Sequence, residues 1–395
     1  MKYAAITDRL ANLGGAKWEV HALAKDMAAA GHDLIQLTIG EPDVTTPPAL
    51  IAEAKRAMDA GRLGYSNGRG EPALLEALAA RYSRRTGRQI STDQIACLPG
   101  TQTALYAVLL TLTGPGDEVL VGDPLYATYE GLIAATGAVA VPVPLHAEHG
   151  FRMQAADVAA RITPRSRLLF LNTPHNPTGA ILRASDIAAL GELAEAHDLW
   201  MLSDEVYEEL VFDGAVFASP FDDEKLAERT VVTASISKSH AAPGFRSGWC
   251  VGPSAFSARL LPVAETMLFG NQPFIADMTA LAVSEPSEVA AGMRARFARR
   301  AGLIYAKLHS VQGLRVHRPE AGMFTVVDIN CTGLSGDTFA RALLAEEKVA
   351  VMPGESFGAA LAGWVRISLT QDDALVAEAC DRLLGFVARQ QEKAA

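Results

Sequence analysis

The spacing of apolar residues changes repeatedly along the chain, from short continuous runs to one apolar residue every three or four positions. This pattern predicts strands that alternate with helices. Short β-branched and leucine-rich runs predict buried strands, whereas an apolar residue every three or four positions predicts an amphipathic helix. In the middle of the chain, strands are predicted at residues 118–121, 138–143, 168–171, 199–202 and 230–233, with helices at 153–161 and 185–197. This alternation predicts an α/β fold whose large domain holds a mostly parallel sheet sandwiched by helices.

The N-terminal region adds further elements before these strands. Helices are predicted at residues 18–30, 47–60 and 72–86, and a short strand at residues 33–38. A strand that begins at Ile95 runs into Gly100, and a helix rich in Ala and Leu follows to about Thr113. A glycine between a strand and a helix permits a sharp turn, so this junction is a candidate binding loop.

The C-terminal region predicts a smaller α+β domain. A long charged helix is predicted at residues 288–310, strands at 326–329 and 365–369, and a final helix at 372–389. We expect the N-terminal residues to pack against this region. The predicted domains are therefore residues 45–285 for the large domain and residues 1–44 with 286–395 for the small domain.

Composition restricts the class of partner. The chain has 395 residues, of which 49% are hydrophobic, so it is long enough for two domains with a sizeable core. A formal net charge of −10 and a pI of about 5.4 disfavour nucleic acid and anionic membranes as partners. The polar start of the sequence lacks the apolar core of a signal peptide, and no apolar run is long enough for a membrane span.

Cysteine usage predicts neither a zinc site nor a disulfide framework. The four cysteines lie far apart without a Cys-x-x-Cys pair, at Cys97, Cys250, Cys331 and Cys380. His146 and His149 are spaced like metal ligands, but the loop offers no other ligand, so no metal site is predicted. A reducing, cytoplasmic setting is expected.

A turn of small residues follows the predicted strand at 230–233 and carries a single lysine, Lys238. Open α/β sheets bind ligands at the carboxyl ends of their strands, so this lysine is expected at a binding edge. A desolvated lysine near another cation has a lowered pKa, and its neutral amine can attack a carbonyl carbon. Ser235, Ser237 and Arg246 are suited to bind the phosphate of such a carbonyl compound. A solvated surface lysine beside an ordinary arginine is the alternative.

Polar and aromatic residues also follow other predicted strands. The amides of Thr101 and Gln102 at a helix start favour an anion. Asp204 and Tyr207 lie three residues apart, where a carboxylate can pair with a protonated ring nitrogen and a hydroxyl can reach a phenolic oxygen. Tyr126 can stack on a planar ring. Taken singly, helix caps and core packing explain these residues equally well.

Three further loops contribute candidate residues. Gly40 permits a close approach of the backbone to a ligand. Tyr65 lies in the glycine-rich loop 64–70, which matches neither a dinucleotide-binding fingerprint nor a Walker loop. Asn176 lies in a turn at 172–179 that proline and glycine restrict.

The order and spacing of these residues resemble the class I/II aminotransferases. The matching positions are Tyr65, Gly100, Thr101, Gln102, Tyr126, Asn176, Gly179, Asp204, Tyr207, Ser235, Ser237, Lys238, Gly244 and Arg246, followed by residues 319–324 and 365–368. The resemblance covers nearly the whole chain. It implies the aspartate-aminotransferase-like fold of pyridoxal 5'-phosphate (PLP) enzymes of fold type I.

This resemblance implies a role for each matching residue toward the cofactor. Lys238 would hold PLP as a Schiff base and shuttle a proton, and Asp204 would keep the pyridine nitrogen protonated. Tyr207 and Asn176 would bind the phenolic oxygen of the ring, on which Tyr126 would stack. The phosphate would be bound by Gly100, Thr101, Gln102, Ser235, Ser237 and Arg246.

The resemblance also implies substrate contacts and an assembly. Arg366, with Asn176 and the backbone at Gly40, would bind the α-carboxylate of the substrate in the forked geometry that a guanidinium favours. Tyr65 would reach the cofactor phosphate of a neighbouring subunit, which implies a homodimer.

The identity of the amino donor is predicted from only two short stretches of sequence. Residues 172–177 and 197–201 resemble those of family members that use a basic donor and pyruvate. No second arginine for a dicarboxylic donor is evident, and Arg69 is the first candidate if one exists. We therefore expect a neutral or basic amino donor with pyruvate as the acceptor.

Three positions depart from the family pattern. Ser247 replaces a usual aliphatic residue, Leu75 replaces a frequent arginine, and Ala321 replaces a frequent glycine. None of the three lies at the predicted reaction centre. They bear on the subgroup and the substrate rather than on the chemistry.

The sequence therefore predicts an aminotransferase that moves an amino group from an L-amino acid to a 2-oxo acid by a ping-pong mechanism through Lys238. A PLP-dependent β-lyase or decarboxylase is the alternative, because the same motifs permit it. A third possibility is the effector-sensing module of a transcription regulator, which would require a DNA-binding extension.

Overall fold

A computed structural model of the protein describes residues 1–11, 13, 15–268 and 270–394. The strands are β1 (Ile35–Gln36), β2 (Ile95–Leu98), β3 (Glu118–Asp123), β4 (Val139–Pro144), β5 (Ser166–Asn172), β6 (Trp200–Asp204), β7 (Thr230–Ser235), β8 (Gly248–Val251), β9 (Arg315–Val316), β10 (Phe324–Asp328), β11 (Val349–Ala350), β12 (Met352–Pro353) and β13 (Trp364–Ser368).

Helices lie between these strands and at both ends of the chain. They are α1 (Ala5–Leu10), α2 (Glu19–Ala29), α3 (Pro48–Asp59), α4 (Pro72–Thr86), α5 (Thr101–Leu112), α6 (Tyr129–Thr136), α7 (Ala155–Ala159), α8 (Ala184–Ala196), α9 (Glu224–Ala227), α10 (Ile236–Ser239), α11 (Ser254–Met267), α12 (Pro273–Ser284), α13 (Glu288–Leu308), α14 (Gly336–Glu347) and α15 (Asp373–Ala394). None of the described helices is both long and apolar enough to cross a lipid bilayer.

The large sheet has seven strands in the order β2-β8-β7-β6-β5-β3-β4. Neighbouring strands from β4 to β7 run parallel, whereas β8 runs antiparallel to both of its neighbours. Helices cover both faces of this sheet. Alternate residues of β5 show this, because they pack in two different apolar clusters. Leu168 and Phe170 pack with residues of α5, and Leu169 and Leu171 pack with residues of α8. The predicted α/β fold class with a mostly parallel sheet is confirmed.

The carboxyl ends of the central strands meet at one edge of the sheet. Asn172 of β5 lies opposite Asp204 of β6, and Asp204 lies opposite Thr233 of β7. Strands of parallel sheets end together in this way, and the loops that follow them share one surface. This edge therefore holds the loops that carry Asn176, Asp204 and Lys238.

A separate antiparallel sheet lies in the C-terminal part, in the order β12-β13-β10-β9. The N-terminal segment joins it, because β1 pairs in parallel with β11 and the Ser368 amide donates to the Leu37 carbonyl at 3.0 Å. This contact agrees with the expected packing of both chain ends. The exact domain boundaries at residues 44, 45, 285 and 286 stay a prediction.

Some predicted elements differ in extent. The predicted strand at 33–38 is limited to Ile35–Gln36, and the predicted helix at 153–161 is limited to Ala155–Ala159. Strand β8 and helices α11 and α12 were not predicted. Helix α12 is buried over much of its circumference, so it lacks the polar face that makes a helix visible in sequence.

Candidate active site

A cavity of about 250 Å³ opens at the carboxyl edge of the parallel strands. Most of the predicted site residues line it. These are Gly40, Thr101, Gln102, Tyr126, Asn176, Asp204, Tyr207, Ser235, Ser237, Lys238, Arg246 and Arg366. Gly100 lies immediately behind this lining, and Tyr65 lies outside it. The fold thus brings together residues that are spread over more than three hundred positions of the sequence.

Lys238 lies in the short helix α10 at the end of β7. The Ser235 hydroxyl begins this helix by accepting a hydrogen bond from the Ser237 amide at 3.3 Å. The Lys238 amine donates to the Gly40 carbonyl at 2.6 Å. Burial lowers the pKa of Lys238 to about 8; Glu41 opposes this shift, and Arg366 adds to it. An appreciable fraction of the amine is therefore neutral near physiological pH, as a nucleophilic lysine requires.

Asp204 ends β6 and is buried at the base of the cavity. Its Oδ2 accepts a hydrogen bond from the Tyr129 hydroxyl at 2.7 Å, and its Oδ1 accepts one from the Val206 amide at 3.1 Å. Burial raises the pKa of Asp204 to about 6, and these two hydrogen bonds limit the rise. The contact with Val206 resembles a helix cap. Asp204 can therefore cap the following turn through Oδ1 and still present its carboxylate to a ring nitrogen.

Tyr207 and Asn176 lie side by side in the cavity. The Asn176 side-chain amide donates to the Tyr207 hydroxyl at 3.4 Å. The Asn176 backbone is fixed in turn, because its amide donates to the Asn172 side chain at 2.8 Å. Burial raises the pKa of Tyr207 above its usual value, so its hydroxyl remains a hydrogen-bond donor at neutral pH.

Arg366 projects from β13 toward Asn176 and is almost fully buried. Its guanidinium donates to the Asn176 side-chain oxygen at 3.1 Å and to the Thr38 carbonyl. The rings of Phe324 and Phe357 lie 3.9 and 4.3 Å from its guanidinium carbon. Burial lowers the pKa of Arg366 to about 9, and its Nε has no hydrogen-bond partner. An incompletely paired buried cation favours an anionic ligand.

The opposite end of the cavity is built for a second anion. Gly100 has a φ of +84° and precedes α5, whose first amides face the cavity. A Cβ at Gly100 would lie 2.2 Å from a terminal nitrogen of Arg246, so only glycine allows this approach. Arg246 is itself fixed by donating to the Pro243 carbonyl at 2.9 Å. The buried Thr101 hydroxyl has no hydrogen-bond partner, as expected for a group that awaits a ligand.

Two residues from the glycine-rich loop lie outside the cavity. The Tyr65 side chain is 94% exposed in the single chain. The Arg69 guanidinium donates to the Asp93 carbonyl at 2.8 Å and to the Ile95 carbonyl at 3.5 Å. Arg69 is therefore held against the backbone before β2, away from the cavity of its own chain.

Sequence reasoning missed several residues of the site. Tyr129 contacts Asp204, and Trp18 and Phe324 line the cavity. The ring of Phe357 lies 4.3 Å from the guanidinium carbon of Arg366. Two of them had a detectable signal: Tyr129 lies three residues after Tyr126 in the same aromatic stretch, and Phe324 ends the matching residues 319–324.

The three departures from the family pattern lie outside the cavity lining. Ser247 is buried and accepts hydrogen bonds from Thr279 at 2.7 Å and from Asn271 at 3.4 Å. Leu75 and Ala321 are buried among apolar residues. Within the ranges that the structure describes, no group of three or more metal-ligating side chains is arranged to hold an ion.

Comparison with known proteins gives consistent relatives. The sequence matches the family described as aminotransferase class I and II over residues 32–383. It is 44% identical over 383 residues to arginine–pyruvate transaminase AruH of Pseudomonas aeruginosa, with 97% of each chain covered. It is 35% identical to aspartate/prephenate aminotransferase of Cereibacter sphaeroides, covering 92% of this chain and 94% of that protein.

A solved structure shows the same architecture. The aspartate aminotransferase from Thermus thermophilus with maleate matches at a TM-score of 0.90 and 29% identity. The match covers 98% of this chain and 100% of that chain. Sequence and fold similarity therefore extend over both sheets and the cavity between them.

Proposed function

The chain belongs to the class I and II aminotransferases, and we propose that it transfers the amino group of a basic or neutral L-amino acid to pyruvate. Membership in this family confirms the predicted fold, the PLP cofactor and the transaminase activity. The comparisons give no support to the β-lyase or decarboxylase alternative.

The residues of the cavity fit PLP at both ends of the molecule. The close approach of Arg246 to Gly100, together with the unpartnered Thr101 hydroxyl, suits a phosphate group. Lys238 and Asp204 suit a carbonyl carbon and a ring nitrogen. PLP supplies a ring that accepts electrons from the substrate Cα, and the protein orients it and adjusts its electronic properties.

We assign the proton transfers to Lys238 and Asp204. With PLP bound, the neutral Lys238 amine would accept the proton of the substrate Cα and return it at C4′ of the cofactor. The Asp204 carboxylate, held by Tyr129 and Val206, would keep a proton on the ring nitrogen. Tyr207 and Asn176 would donate hydrogen bonds to the phenolic oxygen, and Tyr126 would stack on the ring. The phosphate would be held by Ser235, Ser237, Gln102, Thr101 and Arg246.

We assign the substrate α-carboxylate to Arg366. Its guanidinium is oriented by Asn176 and Thr38, contacts two aromatic rings and lines the cavity. The planar fork of the guanidinium matches a carboxylate in two hydrogen bonds. The backbone at Gly40 lies within reach of the same position. Amino acid and oxo acid share this carboxylate, so Arg366 serves both half-reactions.

One observation carries the proposal for the donor: the 44% identity with arginine–pyruvate transaminase over 97% of the chain. The cavity is consistent with it. Among the described residues that line the cavity, the cations are Lys238, Arg246 and Arg366, and each already has an assigned role. Arg69 donates to backbone carbonyls elsewhere, so the described residues that line the cavity include no further arginine for the distal carboxylate of aspartate.

A panel of amino donors with pyruvate and 2-oxoglutarate as acceptors tests this proposal. An unpaired carboxylate in a buried site costs about 3–5 kcal/mol. Each 1.36 kcal/mol is tenfold in rate, so aspartate should be poorer than arginine or a neutral donor by about 10²-fold or more in kcat/KM. Aspartate as the best donor would overturn the assignment, and an even response across the panel would show that the pocket does not select donors.

We further propose that the enzyme works as a homodimer in the cytoplasm. Tyr65 is exposed in the single chain, where it is accessible to the cofactor phosphate of a partner subunit. The four cysteines are free thiols, which a reducing compartment maintains.

A further inference from the structure

A cluster of partly buried charged side chains, of which Glu205 is fully buried, lies beside the turn that follows β6, outside the cavity lining. Two arginines of α4 face four carboxylates, and three of these belong to residues 205–209. We call this cluster the Arg81–Arg85 network, and its members are Arg81, Arg85, Glu205, Glu208, Glu209 and Asp222. None of them touches the position of the cofactor or the substrate.

Arg85 lies at the centre of the network. One terminal nitrogen of its guanidinium lies 2.8 Å from a carboxylate oxygen of Glu205 and 2.8 Å from one of Glu208. Its Nε donates to Asp222 at 2.8 Å. Glu205 is fully buried, and its other oxygen accepts a hydrogen bond from the Ser219 hydroxyl. Burial raises the pKa of Glu205, and Arg85 opposes that rise.

Arg81 extends the network along the same helix. One terminal nitrogen of its guanidinium donates to Glu208 at 2.9 Å and to Glu209 at 2.8 Å. Glu208 is therefore bound by both arginines. Burial alone would raise the pKa of Glu208, but the two arginines bring it below its usual value. The residues from 205 to 209 are thus fixed to α4 by charged hydrogen bonds at three positions.

Network residues and active-site residues alternate along one turn of the chain. Asp204 immediately precedes Glu205, and Tyr207 immediately precedes Glu208. Asp204 and Tyr207 line the cavity, whereas Glu205 and Glu208 face α4. Any displacement of the two glutamates therefore moves the carboxylate and the hydroxyl that face the cofactor.

A second set of contacts leads from the network to the lysine. The remaining oxygen of Glu209 accepts a hydrogen bond from the Ser287 amide at 3.2 Å. The Ser287 hydroxyl donates to the Ser239 carbonyl at 2.7 Å. Ser239 directly follows Lys238, so a continuous chain of hydrogen bonds joins the segment of Asp204 to the segment of Lys238.

We propose that the Arg81–Arg85 network is a positioning device for the reaction, which fixes the distance between the Asp204 carboxylate and the Lys238 amine. Its residues act through Asp204, Tyr207 and Lys238 and make no contact with the reacting atoms. Asp204 and Lys238 bind different parts of one rigid cofactor. Their relative position therefore determines whether the lysine reaches the substrate while the ring nitrogen stays paired.

The test compares Arg85→Lys with Arg84→Lys in the PLP-loaded enzyme. A lysine keeps the charge of Arg85, but its single ammonium cannot occupy both the position of the terminal nitrogen, which binds Glu205 and Glu208, and that of Nε, which binds Asp222. Arg84 is the matched control, because it precedes Arg85 in the same helix, is exposed, and donates to the Ser284 carbonyl at 3.1 Å rather than to a carboxylate. Arg85→Lys should lower kcat by about 10²-fold, the cost of a displacement near 1 Å, with little change in the donor KM.

Two further measurements need no amino donor. In Arg85→Lys, the pH midpoint of the bound cofactor's absorbance should shift relative to wild type and Arg84→Lys. Amide hydrogen exchange in the cofactor-free Arg85→Lys protein should become faster in two segments, residues 204–210 and residues 236–240. Acceleration at residues 204–210 alone would show that the contact through Ser287 does not join them.

A stability role alone predicts a different result. In that case Arg85→Lys would lower the melting temperature, but kcat, the absorbance midpoint and exchange at both segments would match Arg84→Lys at 25 °C. This outcome would overturn the proposal. If Arg85→Lys does not fold, Arg81→Lys replaces it in the test. This variant should fold, because it leaves the contacts of Arg85 with Glu205 and Asp222 intact. The same changes are expected, because it alters the contacts with Glu208 and Glu209.

Discussion

Lys238 combines a buried position with a lowered pKa, and the causes of that pKa are separable. Burial disfavours the charged amine, and the positive charges of Arg366 and Arg246 disfavour it further, whereas Glu41 favours it. The resulting pKa of about 8 lies well below that of an exposed lysine, near 10.4. The site thus holds its nucleophile partly neutral before any cofactor is present.

Capture of PLP by the cofactor-free protein should depend on pH accordingly. With a pKa of about 8, the neutral fraction of Lys238 increases about tenfold from pH 7 to pH 9 and then levels off. Stopped-flow absorbance at a series of pH values measures the capture rate. A capture rate that continues to increase tenfold per pH unit beyond pH 9 would indicate an ordinary lysine.

Lys238→Ala should bind PLP without a covalent bond. Mass spectrometry after borohydride reduction distinguishes covalently attached PLP from PLP that is bound without a covalent bond.

Asp204 should contribute to turnover through its charge. Asp204→Asn keeps the shape of the side chain but removes the partner of the protonated ring nitrogen. Loss of one partner of a buried ion pair costs about 3–5 kcal/mol, so kcat should fall by about 10²- to 10⁴-fold. Steady-state kinetics with saturating PLP provides the measurement. Tyr129→Phe removes only one hydrogen bond to Asp204 and should have a smaller effect; a kcat near wild type in Asp204→Asn would refute the assigned role.

At the scale of elements, the site depends on a junction between β2 and α5 that glycine alone permits. Gly100 adopts a φ of +84°, and its missing side chain leaves room for Arg246. Gly248 in β8 shows the same requirement, since a Cβ there would lie 2.6 Å from the Gly100 backbone. Two segments, the β2–α5 junction and residues 246–248, therefore meet at the phosphate end with no room for a methyl group.

Gly100→Ala should weaken PLP binding more than it weakens the fold. The new methyl group would displace Arg246 and strain a backbone that non-glycine residues rarely adopt, at a cost of about 1–3 kcal/mol. Equilibrium titration of the cofactor-free protein with PLP, together with thermal unfolding, separates the two effects. Gly302→Ala is the control, because it lies in α13 with nothing within 4 Å of the new Cβ. Equal PLP affinity in both variants would contradict the assignment of the phosphate site.

Secondary-structure elements that follow from a local residue pattern could be predicted from the sequence. Runs of β-branched and leucine residues identify β5, β6 and β7, and the carboxyl ends of these strands place Asn176, Asp204 and Lys238 at one edge of the sheet. The contact of Tyr129 with Asp204 joins residues 75 positions apart and depends on side-chain direction. The stacking of Phe324 and Phe357 on Arg366 has no sequence pattern either, because it arises when β13 meets two other segments. Buried helices such as α12 lack the amphipathic period and escaped prediction for that reason.

At the scale of the whole molecule, the proposed dimer would share its active sites between chains. Two variants that are each expected to lose activity test this, Lys238→Ala and Tyr65→Ala. If Tyr65 completes the site of the partner subunit, a mixed dimer holds one site with both native residues. Refolding an equal mixture should then restore about a quarter of wild-type activity, since half of the dimers are mixed and one site in each is intact.

The contrary outcome is equally clear. If Tyr65 serves the site of its own chain, each site of a mixed dimer lacks one residue, and mixing restores nothing. Light scattering of the same samples verifies that dimers have formed, so a loss of assembly is not mistaken for a loss of function.

The central claim is tested most directly by a single half-reaction. PLP-loaded enzyme is mixed with L-arginine in the absence of any oxo acid, and the cofactor is released by denaturation and identified by mass spectrometry. PLP should be converted to pyridoxamine phosphate with one equivalent of 2-oxo acid, and addition of pyruvate should regenerate PLP with formation of alanine. Recovery of PLP unchanged after arginine, with conversion by aspartate instead, would contradict the central claim.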